Sequence, residues 1–363
     1  MAPKLPNELV DIVIGELQSE DTSTIARCGL VCKNWLPTSR YRLFAEVHLN
    51  DGTMDSFFDV VHTSPFPLRS FIRSLALDSE LESGSTRLSE LGPLPQATTL
   101  RITMQRSALA RNTRLLTKNF PNLSTLVLHD CRLPLRCVLK TVSSFSSLQT
   151  LELRRVDISY DLLPFPSTYH FPPHWRALTL DAGPVDSRQF FRAILALDTI
   201  PVFSSLSVRG MDPGDDPLSA YLRHIGARMH CLHLEDLPQS GGEPAALSHS
   251  TGLRHLYLAS RHQPETSVLR ILPHLRSNAL TTMTLVDYGI HNFLSPNHRQ
   301  WERLDQTLND ERFVSLNALI IKTLLPQGPA WLPLSAGRGI LQTMVVHRDS
   351  LSPLADCRIC RVH

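Results

Sequence analysis

A short pattern recurs along this chain at nearly constant spacing, and that period constrains the fold more than any other feature. The stretch "NLSTLVLHDCRL" places Leu123, Leu126, Leu128, Cys131 and Leu133 on the pattern L-x-x-L-x-L-x-x-(N/C)-x-L. The next stretch, "SLQTLELRRVDI", repeats it with Leu148, Leu151, Leu153, Val156 and Ile158. Weaker copies of the central L-x-L flank these two. The second apolar residue of each copy is Leu77, Ile102, Leu128, Leu153, Leu180, Val208, Leu234, Leu258, Leu285, Ile321 and Val346. Successive intervals are 25, 26, 25, 27, 28, 26, 24, 27, 36 and 25 residues. All but one fall within the roughly 20 to 29 residues of a leucine-patterned repeat. Leu49, 28 residues before Leu77, supplies a first strand. The interval of 36 marks an insertion at about 287–315, where "NFLSPNHRQWERLDQTLNDERF" is expected to hold a helix.

Each repeat offers a short strand with leucines pointing one way, a turn, and a helical or irregular return such as "PLRCVLKTVSSF". One such unit cannot cover its own apolar face, so neighbours must stack into a continuous core. The expected fold is α/β: a leucine-rich-repeat solenoid, a curved parallel sheet with helices on its convex side. It would occupy residues 44–351 in about 11 to 12 irregular units, after an N-terminal segment of 1–43 and before a tail of 352–363. An α/β sandwich with coincidental leucine spacing is the alternative.

Strand side chains alternate, so residues between and just after the two core positions face away from the core. In order, the first row is Ala76, Arg101, Val127, Glu152, Thr179, Ser207, His233, Tyr257, Thr284, Ile320 and Val345. The second row includes Asp78, His129, Arg154, Asp181, Arg209, Glu235 and Lys322. The middle of this face is charged with mixed sign and its C-terminal third is apolar. Arg101, Glu152, Arg154, Arg209, His233, Glu235 and Tyr257 are the candidates for reading a ligand, because Arg and Tyr contribute disproportionately to binding hot spots.

The N-terminal segment poses a different problem. In "LPNELVDIVIGEL", Leu9, Val10, Ile12, Val13, Ile14 and Leu17 cover an arc of roughly 200° at helical spacing, about twice what a surface helix needs. Asn7 is the expected cap of that helix and Asp21 of the next. Ile25, Leu30, Val31, Trp35, Leu36 and Leu43 add more apolar surface than three short helices can bury among themselves. The excess calls for docking on the first repeat or for a partner protein.

These residues carry a family resemblance. "LPNELVDIVIGEL" followed by "DTSTIARCGLVCKNW" resembles the F-box: Leu5-Pro6 at the start, Glu8-Leu9, the Ile12 and Leu17 positions, Ile25 in an Asp-led second helix, and the Val31-Cys32-Lys33-x-Trp35 close. The resemblance covers roughly residues 4 to 44. It implies an adaptor-binding or F-box core set of Leu5, Pro6, Leu9, Ile12, Leu17, Ile25, Leu30, Val31, Cys32 and Trp35. It further implies docking on the Skp adaptor of a cullin-RING ubiquitin ligase, with the repeats holding a protein substrate of unknown identity. The same segment read without the resemblance is a helical cap on a leucine-rich-repeat scaffold or binding module.

The remaining chemistry points away from catalysis. Gly-x-Ser-x-Gly, Walker, Gly-x-Gly-x-x-Gly and His-Glu-x-x-His motifs are absent from the sequence, so a non-catalytic subunit without cofactor is expected. "CRICRVH" places Cys357, Cys360 and His363 at spacings that suit zinc, but a fourth ligand is lacking, and no metal site is assigned. The 36 basic and 34 acidic residues nearly balance, which gives no electrostatic case for nucleic acid or an anionic membrane as partner. No apolar run reaches bilayer length. The seven dispersed cysteines fit reduced thiols, and the expected compartment is cytoplasmic and/or nuclear.

Overall fold

The leucine spacing becomes strands. The computed structural model describes residues 6–17, 21–65, 67–78, 89–103, 108–159, 169–238, 242–260, 264–287, 298–323 and 333–345. Parallel strands alternate with helices and turns throughout, an α/β repeat arrangement. The chain divides into two compact units, Met1–Pro164 with Tyr169–Trp175, and Phe165–Thr168 with Arg176–His363. That division falls inside the span read above as one repeat body.

The first unit opens with helices α1 (Asn7–Gly15), α2 (Thr22–Val31) and α3 (Leu36–Ala45). α3 runs directly into strand β1 (Glu46–Asn50), followed by α4 (Asp51–Thr63). Then come β2 (Ser74–Asp78), β3 (Thr99–Thr103), β4 (Thr125–His129), the short β5 (Arg132–Pro134) and β6 (Thr150–Ser159). The order β1-β2-β3-β4-β6 is parallel, and β5 pairs with the far half of β6. The register aligns Leu49, Leu77, Ile102, Leu128 and Leu153 in one row, as the intervals predicted.

All ten fixed positions of the two best-formed repeats are buried. Each Leu, Val or Ile so buried contributes roughly 1.5–3 kcal/mol. Cys131 shows why a small polarisable donor suits its position: its Sγ lies 3.1 Å from the His129 carbonyl and 3.6 Å from that of Ile102. The thiol so reaches the ends of two adjacent strands. Helices Ala108–Asn119 and Leu135–Ser143 carry the chain back; Leu116, Val138, Leu139 and Val142 are buried with the strand leucines.

The second unit strings β7 (Ala177–Ala182), β8 (Ser205–Arg209), β9 (Cys231–Glu235), β10 (His255–Ser260), β11 (Thr282–Asp287), β12 (Ala318–Thr323) and β13 (Leu341–Val345) in sequence order. Leu180, Val208, Leu234, Leu258, Leu285 and Ile321 share one register row. In the last repeat Ile321 pairs with Thr343, 343 − 321 = 22 residues on, and Val346, the residue that the spacing picked out, lies outside the described residues. The strand starts early because Gly339, at φ 69°, turns the chain and the Ile340 carbonyl accepts the Leu319 N–H at 2.7 Å.

Tyr221 is fully buried in this unit, with Phe191 and Phe203 ring centroids 5.3 and 5.7 Å away. Its hydroxyl donates to the Pro201 carbonyl at 2.9 Å and accepts from the Phe203 N–H at 3.3 Å, so burial leaves no polar atom orphaned there. The insertion does hold a helix, His298–Leu308. Its buried Asp305 accepts from the Ser335 N–H and hydroxyl at 2.9 and 2.6 Å, which ties the inserted helix to Pro333–Gly337. The Cys357, Cys360 and His363 tail lies outside the described residues.

Candidate docking surface and strand face

The apolar arc of α1 is divided between the core and water. Val10 and Ile14 are buried, whereas Leu9, Ile12 and Val13 are 46%, 59% and 47% exposed. The Asp11 carboxylate accepts from the Thr38 hydroxyl and fixes α1 against α3. Burial of Val10 and Ile14 marks the edge of the arc that turns inward. Asn7 lies inside the first turn and Pro6 occupies the cap position, without a side-chain cap bond. Asp21 does cap α2, accepting from the Thr24 N–H at 3.1 Å, and Thr24 holds its carboxyl below the usual range.

At the other end of α2, Leu30 and Val31 are 85% and 63% exposed. The sequence-derived set therefore separates into roles. Ile25 is core; Leu17 and Trp35 are half-buried; Pro6, Leu9, Ile12, Leu30, Val31 and Cys32 face outward; Leu5 lies outside the described residues. Val13 belongs with the outward group, and its place in the roughly 200° arc was the signal for it. Of the eight exposed large hydrophobic side chains among the described residues, five are on α1 and α2.

The strand face of the first unit has a different character. Arg154 donates Nε and Nη2 to one Glu152 oxygen at 3.0 and 2.6 Å, and both side chains are mostly buried. Arg155 donates to Nε2 of His129 at 3.0 Å and to the Asp130 carboxylate. Since a guanidinium only donates, that Nε2 accepts, and the ring proton sits on Nδ1, 3.2 Å from Asp130. Burial lowers the His129 pKa, helped by Arg155, Arg154 and Arg101 and opposed by Asp130. Arg101 is exposed, and no hydrogen bond or ion pair joins it to another described residue.

In the second unit Arg209 donates Nε to Asp236 at 2.6 Å and lies 3.4 Å from Asp181. Burial alone would depress its pKa, but Asp236, Asp181 and Glu235 raise it, so the cation is locked in place. Glu235 is buried. His233 and Tyr257, register partners on β9 and β10, stack with centroids 4.8 Å apart and planes 18° apart. Tyr257 is half-buried.

The spacing analysis missed a position that organises both faces. One residue past the second row, Asp130, Arg155, Gly210 and Asp236 all take left-handed backbone, with φ of 51°, 51°, 70° and 50°. At Asp130, Gly210 and Asp236 the strand has just ended, whereas β6 continues through Arg155; the N–H of Asp130 and of Gly210 donates to the next strand's Arg154 and Glu235 carbonyls at 3.0 and 2.7 Å. Asp and Gly tolerate this region; Arg155 bears a strain of about 1–2 kcal/mol. The Asp/Gly recurrence two residues after the second leucine was its sequence signal.

Comparison with known proteins gives no match: no family model fits the chain, and no curated protein matches it. No helix among the described residues is long and apolar enough to cross a membrane. The described residues hold no group of three or more His, Cys, Asp or Glu side chains arranged for a metal ion.

Proposed function

We propose that the chain is the non-catalytic substrate-recognition subunit of an SCF-type cullin-RING ubiquitin ligase. In this reading α1 to α3 are an F-box that docks on the Skp adaptor, and the leucine-rich repeats hold a protein target. The observation that carries the proposal is the outward-facing set Leu9, Ile12, Val13, Leu30 and Val31 on α1 and α2. Burying five such side chains in a partner yields on the order of 10 kcal/mol gross, from which association and ordering costs are subtracted. Catalytic power then comes from proximity: the receptor raises the effective concentration of target amines near a thioester carried by another subunit.

A scaffold in which α1 to α3 merely cap the first strand is favoured by one observation, the direct run of α3 into β1 with Val10, Ile14 and Ile25 buried. A cap, however, gives no reason for Ile12 or Leu30 to face water. Co-purification with the Skp adaptor separates the two. Wild type is expected to bind, and a Leu9→Asp, Ile12→Asp double variant to lose binding while its circular dichroism and unfolding midpoint stay near wild type. A wild type that ignores the adaptor defeats the receptor reading; a double variant that unfolds the repeats supports the cap.

A further inference from the structure

The two kinds of basic residue are very unevenly used. Of the 36, only five are lysines, Lys4, Lys33, Lys118, Lys140 and Lys322, which leaves 36 − 5 = 31 arginines. From Arg176 to the end of the chain the ratio is 17 arginines to the single Lys322. Lysine is normally among the commonest residues of a globular protein, so a chain of 363 residues with five is depleted.

Four of the five lie among the described residues, and the three exposed ones, Lys33, Lys118 and Lys140, are all in the first unit. Lys322 is on β12, half-buried rather than presented to solvent. Lys118 and Lys140 are in the last turns of Ala108–Asn119 and Leu135–Ser143, helices that bury Leu116, Val138 and Leu139 with the strand leucines. Neither is a strand-face residue. Lys33 adjoins Val31 and Trp35, inside the surface proposed to meet the adaptor. Meanwhile Arg192, Arg223, Arg228, Arg254 and Arg276 supply exposed positive charge in the second unit.

Lysine and arginine give the same charge but differ as nucleophiles. A lysine amine loses a proton, attacks a thioester carbonyl, expels the thiolate and forms an isopeptide bond. A guanidinium stays protonated and delocalised and does not react in that way. A receptor beside a ubiquitin thioester experiences the same effective concentration as its target. Its own exposed amines therefore compete with those of the target. We propose that the arginine-for-lysine composition, most extreme in the second unit, shields this chain from modification by the ligase it serves.

The inference rests on the receptor reading, and one experiment keeps the two apart. Wild type and an Arg192→Lys, Arg223→Lys, Arg228→Lys, Arg276→Lys variant, which preserves charge at exposed sites, are assembled with adaptor, cullin-RING subunit and ubiquitin-charged enzyme. Adaptor binding is measured on the same samples, and modified lysines are mapped by mass spectrometry. Equal adaptor binding is expected, with self-modification of the variant raised at least about fivefold and located on the new lysines. Equal binding with unchanged self-modification, or wild type already heavily modified on Lys118, Lys140 or Lys322, overturns the inference and leaves the receptor reading standing. Failure of both proteins to bind adaptor overturns both.

Discussion

The N-terminal helices and the strand faces treat their side chains in opposite ways. On α1 and α2 the apolar groups exceed what the fold can bury, and Leu9, Ile12, Val13, Leu30 and Val31 remain in water. On the strand faces the charges are largely matched within the molecule: Arg154 to Glu152, Arg155 to Asp130, Arg209 to Asp181 and Asp236. Exposed apolar surface is a standing cost that only a partner removes, whereas an internally paired charge is already satisfied. The helices are therefore the region that demands a partner, whereas on the first unit's face the exposed Arg101 is a charge that no such pairing takes up.

The first way to break this contrast is to shorten one aliphatic side chain in each kind of environment. Leu232 is fully buried in β9 between two strands, so Leu232→Ala should cost about 2–5 kcal/mol. Ile12→Ala, at an exposed helical position, should stay within about 0.5 kcal/mol of wild type. Urea unfolding of the two variants measures both. An Ile12 variant as damaging as the Leu232 variant would mean that α1 is buried against something within the chain, and the contrast would collapse.

How much of this was legible in the sequence follows from period. The leucine intervals located the core row from Leu49 to Ile321 because inward positions are fixed by a repeat that every unit must obey. At the last repeat a glycine turn at Gly339 precedes β13, where Thr343 pairs with Ile321, a feature that leucine spacing does not encode. Helical projection found the apolar surplus of α1 but could not say which edge faces inward, since that depends on packing against elements distant in sequence, such as α3, which the Asp11 to Thr38 contact joins to α1 across 27 residues. The strand-face candidates were found by alternation alone. Asp130, Arg155 and Asp236 were not, because they take left-handed backbone that period-two reasoning passes over.

A second test sharpens the claim that the face charges are structural. Arg154→Ala leaves the Glu152 carboxylate buried without its two donors and should destabilise the chain by about 2–3 kcal/mol. Arg101→Ala removes an exposed cation and should change stability by less than about 0.5 kcal/mol. The same pair assayed for target capture reverses the order of interest. A loss of capture with Arg101→Ala at unchanged stability would mark it as a contact residue, whereas equal destabilisation by both variants would show that the face does not divide into paired and available charges.

The smallest expected effect concerns pH. Burial holds the pKa of His129 below its ordinary 6.5, so the folded chain favours the neutral ring that accepts from Arg155 and donates to Asp130. A base with a depressed folded pKa stabilises fully above its unfolded value, and that contribution falls as pH drops from 6.5 toward the folded value, where the unfolded chain binds more protons. Protonation would also set an imidazolium against the Arg155 guanidinium. His129→Gln removes the titration and keeps a neutral polar side chain. The unfolding midpoint of wild type should therefore fall more steeply than that of His129→Gln as pH is lowered below 6.5, and the two curves should run parallel above it. Parallel curves throughout would mean that the imidazole is not held neutral by its surroundings and that Arg155 donates elsewhere.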